Sequence, residues 1–153
     1  MAVSRHEAAH VLTALHLGRE LGSVDADGLA IVGLIRDDVK PDQVWLDQVL
    51  GDLMILLAGA EVDRRTLGPT HTDGSQHDRE RAERVARRFT ATPDEATALL
   101  ELAWAKTRTI CSMNGFAEAG ERLAEQLVEA GRLNAQEIEN VISEYEKKSD
   151  GEG

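Results

Sequence analysis

The alternation of apolar and polar positions predicts a chain built mainly from helices. Apolar residues recur every three or four positions along residues 2–20, which is typical of an amphipathic helix. Along residues 42–67 they occupy more than one helical face, which indicates a central, buried helix. Capping patterns mark two further helix starts, at Thr92 and Asn134. We therefore predict helices over residues 2–20, 42–67, 78–89, 92–113, 115–130 and 134–147.

One short stretch departs from the helical pattern. Residues 29–35 form an apolar run with β-branched side chains, preceded by a turn-forming segment. We predict a small β element here, with a hairpin and an open edge as one form of it. An open edge can accept an extended peptide as an added strand, and it can equally serve only to cover the core. Both interpretations stay open at this stage.

Length and charge narrow the class of protein. The 153 residues are expected to form one domain, residues 1–148, followed by a disordered tail at 149–153. The net charge of −11 disfavours nucleic acid as a partner, and no apolar run predicts a membrane segment. With one cysteine, Cys111, and no signal-peptide pattern, a cytoplasmic location is expected. Arginines on the outer face of the 78–89 helix alternate with glutamates and are interpreted as a solvated surface: Arg79, Arg81, Arg84, Arg87 and Arg88.

The chemistry of the chain is concentrated in an H-E-x-x-H pattern at residues 6–10. On a helix, His6 and His10 lie on one face, so both imidazoles can bind one metal ion. Glu7 points about a quarter-turn away, where it can reach a metal-bound water. This combination predicts a helical, zincin-like peptidase domain that holds Zn2+ and uses Glu7 as the general base.

A catalytic zinc needs a third protein ligand, and the spacing alone leaves several candidates. His16 has the outer spacing of a metzincin, but Thr13 stands where that pattern needs a glycine, which disfavours it. The remaining candidates lie in or near the two helices that follow: Glu61, Asp63, His71, His77 and Asp78.

Three sequence blocks, in this order, resemble the peptidase domain of the FtsH-type membrane-anchored AAA zinc metalloproteases. The first is HEAAH at residues 6–10, similar to H-E-A-G-H in the family. The second, AGAEVDRRTLG at residues 58–68, keeps the two end glycines of the family block G-G-R-A-A-E-E-x-x-F-G. The third, THTDGSQHDRERAERVAR at residues 70–87, is similar to T-T-G-A-S-N-D-L-x-x-A-T-x-x-A-R.

The resemblance implies a site and an activity. The third zinc ligand of the family falls on Asp78, and a conserved acidic position falls on Asp63, behind the ligands. The implied function is zinc-dependent hydrolysis of peptide bonds in peptides or unfolded proteins. The 153 residues contain no AAA ATPase module, so ATP-independent cleavage is expected, with a homo-oligomer or a separate ATPase as alternative assemblies. A catalytically weak or inactive zinc-binding regulatory module is the alternative function, and a purely structural helical protein is a third.

Overall fold

The computed structural model describes residues 1–26, 29–68 and 75–151, and for Leu29, Ile31 and residues 145–151 the backbone alone is considered. Over these residues the chain is mainly helical, as predicted. The helices are α1 (Ala2–His16), α2 (Leu46–Leu67), α3 (Gln76–Arg88), α4 (Pro93–Cys111), α5 (Phe116–Ala130) and α6 (Ala135–Gly151). The strands are β1 (Leu21–Asp25), β2 (Leu29–Val32) and β3 (Arg132–Asn134). In the described part, no helix has the length and apolar character that a membrane crossing requires.

Two helix starts follow directly from their capping residues. At the start of α4, the Thr92 hydroxyl accepts a hydrogen bond from the Glu95 amide at 3.2 Å. At the start of α6, the Asn134 side chain accepts one from the Glu137 amide at 2.9 Å, and the Glu137 carboxylate accepts from the Asn134 amide. These bonds satisfy amides that have no partner within the helix. Both predicted starts are confirmed.

Three predicted helix limits were wrong by four residues each, and two more, the start of α3 and the end of α4, were wrong by two. Helix α1 ends at His16 rather than at residue 20, and Gly18 follows with a positive φ of 72°. Helix α2 begins at Leu46, because Pro41–Gln43 form a separate 3-10 turn. Helix α6 continues past residue 147 to Gly151.

The β element is a three-stranded antiparallel sheet in the order β2-β1-β3. The strand predicted near residues 29–35 is present as β2, and it lies at one edge of this sheet. We predicted neither β1 nor β3. Strand β1 buries Val24 and contains Gly22, a residue with weak strand preference, so its formation depends on pairing with strands on both sides.

Helix α1 lies between two clusters of buried apolar side chains. One cluster joins α2, α3 and α4, with Leu53, Leu57 and Ala86 among its members. The other joins α1 to β1, α5 and α6 through residues such as Val11 and Leu123. Helix α1 also packs against α2, and this contact joins the two clusters. Close packing on both sides fixes the position of α1 relative to α2.

An ion pair attaches the segment after β2 to α2. Arg19 donates to the buried Asp52 carboxylate at 2.5 Å and to the Gly33 carbonyl at 2.9 Å. The second Asp52 oxygen accepts from the Ile35 amide at 2.9 Å. The edge strand is therefore held in place beside α1 and α2.

Candidate metal centre

The H-E-x-x-H segment lies in the buried first half of α1. His6, Glu7 and His10 are each 6% exposed. Ala8 and Ala9, which follow Glu7, are also buried. The two imidazoles, one helical turn apart, face α2.

Helix α2 approaches the imidazoles at Gly59. A Cβ atom placed on this residue would lie 2.5 Å from Cε1 and Nε2 of His6 and 2.8 Å from Nε2 of His10. Carbon and nitrogen atoms in ordinary contact are about 3.5 Å apart, so any larger residue would displace the rings. Glycine at position 59 is therefore a steric requirement of the site.

Three potential ligand atoms converge where α1, α2 and α3 meet. Nε2 of His6 and Nε2 of His10 are 3.1 Å apart. Asp78, in the first turn of α3, brings Oδ2 to 2.9 Å from Nε2 of His6 and 3.1 Å from Nε2 of His10. A zinc ion with bonds of about 2.0–2.1 Å and tetrahedral angles requires ligand atoms roughly 3.3 Å apart. The observed triangle has nearly this size.

The outer nitrogens of both rings are already used as donors. Nδ1 of His10 lies 2.6 Å from the Ile55 carbonyl, which can only accept, so this nitrogen carries the proton. Nδ1 of His6 lies 2.8 Å from a carboxylate oxygen of Asp63. In the neutral rings, both Nε2 atoms then present lone pairs toward each other and toward the Asp78 oxygen. Three electron-rich atoms at this distance repel one another unless a proton or a metal cation lies among them.

Ionisation of these groups reflects the same electrostatics. Burial disfavours protonation of His6, but hydrogen bonds to Asp63 and Asp78 outweigh it and raise the pKa of His6 to about 10. Burial alone would raise the pKa of the Asp78 carboxyl, yet the bonds to His10 and His6 hold it well below its usual range. The position among the three atoms thus favours positive charge.

Glu7 is placed for proton transfer. One of its carboxylate oxygens lies within 4.8 Å of nitrogens of His6 and His10, close enough for one water to lie between them. Burial raises the pKa of Glu7, opposed by the nearby His10 and His6 and reinforced by the Asp78 and Asp63 carboxylates. A carboxylate with a raised pKa is a stronger base than an exposed one.

The other candidate ligands lie elsewhere. The buried Glu61 carboxylate accepts hydrogen bonds from Arg64 at 2.5 Å and from Arg65 at 2.9 Å. His16 and His77 are exposed to solvent. His71 lies outside the described residues. The described structure thus brings His6, His10 and Asp78 together around one point, with Asp63 behind the His6 ring.

Sequence reasoning missed two features of this centre. The Ile55 carbonyl, which orients His10, is a backbone atom and has no signature in the sequence. Gly59 did carry a signal, because a glycine inside a buried helix usually has a packing reason. That reason lies in the tertiary structure, because α1 and α2 approach each other closely at this residue's contact with the His6 and His10 rings.

Comparison of the chain with protein-family models gives no matching family, and comparison with curated proteins gives no matching relative.

Proposed function

We propose that this chain is a zinc-dependent metalloendopeptidase of the FtsH type that hydrolyses peptide bonds in peptides or unfolded protein segments. His6, His10 and Asp78 hold the zinc, and Glu7 is the general base. The observation that carries this proposal is the convergence of two imidazole nitrogens and one carboxylate oxygen at 2.9–3.1 Å, with the other ring nitrogens already bonded.

The donor set suits a catalytic zinc. Such sites have three protein ligands of nitrogen, oxygen or sulfur and leave one position for water or substrate. The acceptors behind the rings also suit this role, because ligating histidines donate their second N–H to a carboxylate or a carbonyl. Asp63 and the Ile55 carbonyl supply one acceptor each.

Each residue of the centre has a defined task in hydrolysis. Zinc, when bound, lowers the pKa of a water to about 7 and polarises the substrate carbonyl. Glu7 accepts the proton of the attacking water and later donates it to the amine that leaves. Asp63 keeps the His6 ring in the orientation that points Nε2 toward His10 and Asp78.

The position of strand β2 supports the proposal that the substrate is an extended peptide. Strand β2 lies at one edge of the described sheet and packs near α1, which carries the histidines. An extended peptide can pair with such an edge through its backbone, whatever its side chains. Folded proteins do not present a free extended segment, so peptides and unfolded chains are the substrates proposed.

The test compares Glu7→Gln with wild type in zinc content and in cleavage of an unfolded protein such as reduced, alkylated casein. We expect about one zinc per chain in both proteins and a loss of cleavage of roughly 100-fold or more in the variant. Glu83→Gln, an exposed position on α3, is the matched control and should cleave like wild type. Cleavage by Glu7→Gln at the wild-type rate would refute the assignment. Zinc binding without cleavage by wild type would instead favour the regulatory module.

A further inference from the structure

Helix α3 carries an unusual share of the positive charge of this acidic chain. It contains five of the 17 basic residues within 13 positions, while the whole chain has a net charge of −11. The same helix begins next to the metal centre, because Asp78 lies in its first turn. Positive charge beside the centre can select negatively charged ligands.

Two of the five arginines have structural partners. The Arg79 guanidinium lies 5.3 Å from the centre of the Trp104 ring, and its Nε donates to the Ser75 hydroxyl. Arg88 donates to the backbone carbonyls of Asp37, at 2.9 Å, and Val39. The Arg88 contacts place the C-terminal end of α3 against the loop that follows the edge strand β2.

Helical geometry places the arginines of α3 at different angles from Asp78 around the helix. At about 100° per residue, Arg81, Arg84 and Arg88 fall within about 60° of one another. Asp78 lies about 60° to one side of Arg81, toward the core. Arg84 lies about 120° from Asp78, and Arg87 lies about 180° from it, on the opposite side of the helix.

Arg81 and Arg84 lie along α3 between two fixed contacts. Asp78, before them, contacts His6 and His10, and Arg88, after them, contacts the loop after β2. A peptide that ran from the metal centre along α3 would pass both side chains.

Arg81 and Arg84 are exposed and available for binding. The ion pairs within the described residues involve other arginines. The interpretation of the outer face as a solvated surface holds for Arg81, Arg84 and Arg87, which are exposed. Arg79 and Arg88 are instead half-buried and have partners within the protein.

We propose that Arg81 and Arg84 bind carboxylate side chains of the substrate and give the enzyme a preference for acidic segments next to the cleaved bond. This inference rests on the proposed peptidase function and names its substrate class. With a rise of about 1.5 Å per residue, Arg81 and Arg84 lie about 4.5 and 9 Å along the helix from Asp78. An extended peptide advances about 3.3 Å per residue, so the preferred acidic residues lie about one to three positions from the cleaved bond.

The experiment uses pairs of unstructured peptides with a mapped cleavage site. One member has two aspartates within three positions of the cleaved bond, and its twin has two asparagines there. Wild type should cleave the acidic peptide about five- to tenfold more efficiently, as measured by kcat/KM, and this ratio should fall as salt is added. Arg84→Gln should reduce the ratio about threefold, and Arg81→Gln/Arg84→Gln should bring it close to one.

Arg87→Gln is the matched control, because it removes the same charge from the side of α3 that lies opposite Asp78. It should leave the ratio within about 30% of the wild-type value. Equal cleavage of both twins by wild type, or an equal effect of Arg87→Gln and Arg84→Gln, would overturn the inference while the peptidase function stands.

Binding of the same peptides to zinc-loaded Glu7→Gln, followed by fluorescence anisotropy, separates the two proposals. Tighter binding of the acidic twin, lost in the Arg81→Gln/Arg84→Gln background, supports the inference even if wild type cleaves neither peptide. In that case the proposed peptidase function is refuted, while the proposal that Arg81 and Arg84 bind acidic peptide segments is supported. Equal binding of the twins contradicts the inference.

Discussion

Replacement of Gly59 by alanine should disable the metal centre while most of the fold survives. The added methyl group would lie 2.5 Å from two atoms of the His6 ring and 2.8 Å from Nε2 of His10. Ordinary contact at about 3.5 Å requires a relative movement of about 1 Å. The rings have little freedom to move, because Asp63 and the Ile55 carbonyl hold their outer nitrogens at 2.8 and 2.6 Å.

A movement of this size exceeds what a metal centre tolerates. Metal–ligand distances in working sites agree within about 0.2 Å, so we expect zinc affinity to fall about 100-fold or more. The effect on stability should be smaller. Alanine favours a helix by about 1 kcal/mol over glycine, whereas overpacking costs about 1–3 kcal/mol. The free energy of unfolding of the zinc-free protein should therefore drop by at most about 2 kcal/mol.

Chelator competition measures the zinc affinity, and urea denaturation of the chelated protein measures stability. Gly120→Ala is the matched control, because a Cβ at Gly120 would lie 3.6 Å from Leu12 Cδ1, an ordinary contact. It should bind zinc like wild type. Wild-type zinc affinity in Gly59→Ala would refute the view that the α1–α2 crossing sets the ligand geometry.

Three further predictions concern the surroundings of the centre and the helix starts. Asp63→Asn weakens the acceptor behind His6, so zinc affinity should fall about 10- to 100-fold in chelator competition with little change in circular dichroism. The raised pKa of His6, about 10 against an ordinary 6.5, means that its protonated form stabilises the chelated fold. This stabilisation is complete below pH 6.5 and is lost as the pH rises to 10, so the Tm of chelated protein should fall across that range while zinc affinity rises. Thr92→Ala removes the cap of α4 and should lower the free energy of unfolding by about 1 kcal/mol in urea denaturation.

Each of these three predictions has an outcome that would contradict it. Unchanged zinc affinity in Asp63→Asn would show that this carboxylate does not orient His6. A Tm of chelated protein that rises between pH 6.5 and 10 would contradict the stabilising role of protonated His6. Wild-type stability of Thr92→Ala, with Asn134→Ala destabilised, would show that the α4 cap contributes nothing.

The sequence predicted the features that depend on local chemistry. Helix starts at Thr92 and Asn134 were correct because a cap and its partner lie three residues apart. His6 and His10 could be paired because one helical turn separates them. Strand β1 was missed because its stability comes from β2 and β3, which lie on either side of it in space.

The proposed third ligand, which lies far from His6 and His10 in the sequence, could not be predicted from local sequence patterns. Spacing alone left Glu61, Asp63 and Asp78 as competing ligands, because all three follow α1 by more than 40 residues. The choice of Asp78 came from the order of three motif blocks, and its geometry comes from the packing of α3 on α2. Glu61 is excluded by Arg64 and Arg65, which occupy its carboxylate.

The central claim is that one metal ion is bound by His6, His10 and Asp78. The most direct test is anomalous diffraction at the zinc edge from crystals of the protein grown with zinc. The account predicts one strong anomalous peak about 2.0–2.1 Å from Nε2 of both histidines and from an Asp78 oxygen. Absence of a peak at this position, or a peak surrounded by other residues, would contradict it.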